Sequence, residues 1–164
     1  MAALKSKTWF WGRRQYFAQA KTFNAQVEGM LEAAEAALAK KSYGAAGQTA
    51  VVLRHVFCSA SLKPHLGASF QRWGKLSRTV AAAFRTMCGA VQGALDNGDL
   101  PNCETCLRRM HDFEEGLSQV FGAELRSEAQ GVHQALAEWT ERQMKALHSQ
   151  LRDLKLGAAA ESVR

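Results

Sequence analysis

ASFQRWGKLSRTVAAAFRTMCGAVQGALDN, residues 68–97, carries the clearest pattern in the chain. Phe70, Trp73, Leu76, Val80, Phe84, Met87, Val91 and Leu95 recur at spacings of three and four, which puts them on one face of a helix. Strand-favouring runs of Val, Ile, Thr and Tyr are absent, and the chain contains no Ile at all. Asn97-Gly98 closes the stretch with a turn signal, and Asp99-Leu100-Pro101-Asn102 completes the loop.

The same period extends outward on both sides. In residues 14–41, Phe17, Ala20, Asn24, Val27, Leu31, Ala34 and Leu38 form a stripe, and Gly44 is positioned to cap the helix after Lys40 and Lys41. A shorter segment, 45–62, carries Thr49, Val52, Val56 and Ala60 and ends at Pro64 and Gly67. Residues 103–156 are longer: Met110, Phe113, Leu117 and Val120 make one stripe, and Val132, Leu136, Trp139, Leu147, Leu151 and Leu154 make a second. The phase slips near 122–131. Either one helix of about 75–80 Å runs through, at 1.5 Å per residue, or two helices meet there. A straight helix of that length needs a second copy along its distal stripe; a broken one folds back on its own chain. The reading is all-α: an antiparallel bundle of three to four amphipathic helices with a long, coiled-coil-like C-terminal helix. It divides into a basic aromatic arm (1–13), one helical domain (14–157) and a flexible tail (158–164).

Composition agrees. Hydrophobic residues make up 47% of the chain and charged residues 22%, a globular balance, and 164 residues suffice for one domain with a core. No apolar run approaches the roughly 20 residues of a membrane span. The formal charge is +6, unevenly spread. Residues 1–95 hold thirteen Lys and Arg against three acids, Glu28, Glu32 and Glu35, whereas 96–164 hold eight against twelve. No acid lies between Glu35 and Asp96. The basic part therefore faces an anionic partner, or the two halves face each other.

On a helical wheel, Arg72, Lys75, Arg78 and Arg85 fall opposite the large apolar side chains of 68–97. They form a ridge suited to phosphates or anionic headgroups. Gly74, Ala82, Gly89 and Gly93 share that sector, so another helix can approach and pair the ridge with Glu114, Glu115, Glu124 or Glu128. The N-terminus sets Lys5, Lys7, Arg13 and Arg14 among Trp9, Phe10 and Trp11, with no acid before Glu28. That mixture suits a membrane interface, nucleic acid by stacking and phosphate contact, an organellar presequence, or a plug at one end of the bundle.

Cys103 and Cys106 form a C-x-x-C at a helix start, where thiol pKa values fall. The strand-helix-strand context of redox enzymes is missing, and a zinc site would need two more ligands. Cys58 and Cys88 sit in apolar segments as small hydrophobes. Unpaired thiols of this kind favour a reducing compartment. The chain has no P-loop, G-x-G-x-x-G, H-E-x-x-H or G-x-S-x-G motif.

The expectation is a non-enzymatic scaffold or adaptor without metal or cofactor, contacting an anionic membrane or an acidic partner through its basic face and pairing with a protein partner or a second copy. Long amphipathic helices with a basic ridge are similar in architecture to BAR-type curvature-sensing modules, although no motif specific to that family occurs. A structural subunit of a larger complex is the alternative, and nucleic-acid binding a second. The expected compartment is the cytoplasm, or a mitochondrion or other organelle through the basic N-terminus.

Overall fold

The computed structural model describes the backbone of residues 2–60, 62 and 66–161, and side chains within 18–60, 62 and 66–153. Four helices account for nearly all of it: α1 (Ala2–Ala39), α2 (Tyr43–Cys58), α3 (Gly67–Asp96) and α4 (Leu100–Glu161). No strand occurs among the described residues. α1 begins well before residue 14, and α2 stops at Cys58, short of the expected 62.

The turns explain the boundaries. Gly98 has φ +68, and the N–H groups of Gly98 and Asp99 bond back to the carbonyls of Leu95 (3.1 Å) and Ala94 (3.0 Å), closing α3. Asp99 then starts α4, its Oδ1 accepting the Asn102 N–H at 3.2 Å. At the end of α1 the same pair of bonds forms without glycine. Lys41 takes φ 59, its N–H bonds to Leu38 O at 2.9 Å, and the Ser42 N–H bonds to Ala37 O at 2.8 Å. Gly44, the expected cap, lies instead in the first turn of α2, because Ser42 already leads into that helix.

The core has two parts. Val27, Leu31 and Ala34 of α1 pack with Leu53 and Phe57 of α2 and Leu66 and Leu76 near the start of α3. The larger part joins Ala46 and Ala50 of α2, Val80, Phe84, Cys88, Val91 and Leu95 of α3, and many residues of α4. Phe84 stacks on Phe113 and Trp73 on Phe121, so α3 and the first part of α4 run in opposite senses. α2 runs alongside α4 in the same sense, with Tyr43 on Phe113 and Gly47 against Gly116.

α4 is not straight. Phe113 meets Phe84 and Glu128 meets Arg85, one residue further along α3. On a straight helix the two α4 residues would stand about 22 Å apart. α4, helical throughout, is therefore sharply bent between Phe121 and Glu128. Arg54 of α2 supports the bend, its Nη1 donating to the carbonyls of Gln119 (2.9 Å) and Val120 (3.3 Å) at the end of the proximal arm. The phase slip in the sequence marks this place. Beyond it, Leu125, Ala129 and Val132 are buried, and Leu136 and Trp139 pack partly on the same core. From Thr140 to Asp153 every residue is exposed.

Candidate binding surfaces

The basic ridge of α3 is divided by its partners. Arg72 sits over the only three acids of the first 95 residues. Its Nη1 lies 2.8 Å from Glu28 and 3.6 Å from Glu32, and its Nε and Nη2 grip both oxygens of Glu35 at 3.0 and 2.6 Å. The buried Ser69 donates its hydroxyl to the other oxygen of Glu28. Hydrogen bonds from Ser69 and Arg72 hold the Glu28 carboxyl below its ordinary range, and those from Arg72 do the same for Glu35. The Arg72 guanidinium is pushed further up by both glutamates, Glu35 first. The pairing expected for the ridge was with acids of the last helix; for Arg72 it is with α1, which lies beside α3.

Arg85 does pair with α4. Its Nε lies 3.0 Å from Glu128 Oε2 and its Nη2 bonds the other oxygen, which lowers the Glu128 carboxyl. Lys75 and Arg78 are exposed and form no ion pair with a described residue, the Arg78 Nε donating to its own helix at Gly74 O. The side chains of Lys5, Lys7, Trp9, Phe10, Trp11, Arg13, Arg14 and Leu154 lie outside the described residues.

Among the residues expected at a helix-packing or dimer contact, Val132 is wholly buried in its own chain, whereas Leu147 and Leu151 are 55% and 47% exposed. Met144, at 53%, joins them on the same stripe.

A groove of about 480 Å³ opens between α1, α3 and α4, walled by Leu38, Leu76, Val80, Met87 and Phe113. The exposed Lys41 and Lys75 line it as well, together with Glu35. Its walls come from residues scattered between 35 and 113, so no local motif announces it.

The cysteines are all free. Burial pushes the Cys88 thiol up, and the nearby carboxylates of Glu128 and Glu114 add to the effect. Burial also raises Cys103, with Cys106 and Asp99 contributing. Cys103, expected from its helix-start position to have a lowered thiol pKa, is instead shifted upward by burial. Among the described residues no group of three or more His, Cys, Asp or Glu is placed to hold a metal, and no helix is long and apolar enough to cross a membrane.

No family model matches the chain, and neither a curated protein nor a solved structure matches it.

Proposed function

We propose that the chain is a non-enzymatic helical scaffold or adaptor, an antiparallel bundle whose distal α4 docks on another amphipathic helix, most simply α4 of a second copy. One observation carries the reading: the apolar stripe of α4 continues past the body of the molecule with no cover. Met144, Leu147 and Leu151 stand about half exposed. Their spacing of three and four, continued by Leu154 in sequence, is the seam of a coiled coil. An isolated helix of that length is marginal in water, and burial of an apolar face supplies most helical stability in proteins. Sedimentation equilibrium tests the pairing. The native chain is expected to dimerise as concentration rises, and the double variant Leu147→Glu, Leu151→Glu to stay monomeric. A native chain that remains monomeric at every concentration sinks the self-pairing.

The basic face gives the adaptor its second contact, with an acidic partner or an anionic membrane. Support comes from Lys75 and Arg78, exposed on α3 in a stretch of sixty residues without an acid. Each Lys or Arg near an anionic bilayer contributes roughly 1 kcal/mol. Pelleting with phosphatidylserine vesicles at low salt is expected to fall when Lys75→Glu and Arg78→Glu are combined. Unchanged pelleting would remove these two residues from the contact.

A further inference from the structure

We propose that the groove between α1, α3 and α4 is a binding site for a single-chain aliphatic carboxylate, a ligand that neither of the adaptor's contacts requires. The walls set the apolar half of the ligand. Leu38, Leu76, Val80, Met87 and Phe113 come from three helices of one chain and enclose about 480 Å³, within the range of small-molecule sites, about 300–1,000 Å³. One acyl chain suits a space of that size.

The charge sets the other half. Among the described residues, three charged ones line the groove: Glu35, Lys41 and Lys75. Glu35 has both oxygens held by Arg72. Lys75 lies close enough to help keep the Glu35 carboxyl ionised, yet it forms no ion pair with a described residue, and neither does Lys41. Two lysines are thus left on the wall of an apolar groove where the carboxylate of Glu35 is already matched, an arrangement complementary to a single anionic head.

Lys41 adds an independent observation. It occupies the left-handed position that closes α1, with φ 59, where glycine is the favoured residue. A long cationic side chain stands there at a conformational cost, and such costs concentrate at functional positions. The turn also fixes where the lysine stem leaves the backbone, through the bonds of Lys41 N–H to Leu38 O and Ser42 N–H to Ala37 O.

The test is calorimetric titration of the full chain with octanoate, decanoate and dodecanoate, with decanol as the uncharged probe. Affinity is expected to rise about fourfold per added methylene, and decanoate to bind more tightly than decanol. Lys41→Gly relieves the backbone, so its melting temperature should not fall. Its decanoate affinity should nevertheless drop towards that of decanol. Ala83→Phe fills the groove from α3 and should abolish binding of both probes; Thr79→Trp, on an exposed part of the wall, gives the same readout if Ala83→Phe does not fold. The proposal is overturned if decanoate does not bind at millimolar concentration, including the case where phosphatidylserine vesicles do. It is equally overturned if decanol binds as tightly as decanoate, if Lys41→Gly binds decanoate like the native chain, or if a folded groove-filling variant still binds.

Discussion

Gly47 and Gly116 let the backbones of α2 and α4 come together. A Cβ on Gly47 would lie 1.8 Å from the Gly116 carbonyl oxygen, and one on Gly116 would lie 2.6 Å from the Tyr43 carbonyl carbon. Backbone thus rests on backbone, which holds Tyr43 against Phe113 with ring centroids 4.7 Å apart. Gly116→Ala should therefore destabilise the chain by about 1–3 kcal/mol, as overpacked sites do, although alanine is the better helix former by about 1 kcal/mol. Gly89, on α3, has nothing within 4 Å of where a Cβ would stand. There the propensity is unopposed, and Gly89→Ala should stabilise by about 0.5–1 kcal/mol. Urea unfolding of the two variants checks the pair of opposite signs. Sequence alone does not separate them, since each glycine sits in an amphipathic segment and only the partner backbone distinguishes the two.

At the scale of the helix, legibility followed the range of the interaction. The α3 stripe and the Asn97-Gly98 turn were readable because the helix period and the left-handed glycine are local. Capping after α1 was misplaced by three residues, because Lys41 adopts the conformation that Gly44 was expected to supply. The slip near 122–131 announced a discontinuity in α4 but not its sense. At that place stands Arg54, sixty-five residues away from Gln119, whose guanidinium takes up the carbonyls of Gln119 and Val120. Arg54→Met should therefore loosen the bend. The expected signs are a loss of about 1 kcal/mol and faster amide exchange in residues 121–128 than in α3. Equal exchange in the variant and the native chain would show that packing of Leu125 and Val132 holds the bend unaided.

For the whole molecule, the two charge halves satisfy each other only in part. Arg85 reaches Glu128 on α4, while Arg72 gathers Glu28, Glu32 and Glu35 from α1. The candidate surfaces were correspondingly half legible: composition exposed the asymmetry, but which cations are occupied depends on helix neighbours. Glu28, Glu35 and Glu128 all have carboxyls held below the ordinary value of 4.5. Their ionised forms therefore stabilise the fold above that value, and the contribution disappears as pH falls through their lowered pKa values. The melting temperature should accordingly be flat near neutrality and fall in acid below about pH 4.5. Arg72→Met should lower the neutral plateau and partly flatten the acid limb, because Glu35 would lose its main partner while Glu28 would keep the Ser69 hydroxyl and lose only its second. A melting profile for Arg72→Met that parallels the native one would remove Arg72 as the origin of the acid sensitivity. The bend in α4 bears on how quickly all of this assembles. It lets the last helix cover α3 twice from the element that follows it directly, through a connection of only a few residues. Short loops lose little entropy on closure, and low sequence separation goes with rapid folding. Both α1–α2 and α3–α4 join adjacent elements through short turns, so the chain is expected to refold rapidly and in one phase, as stopped-flow fluorescence of its tryptophans would read.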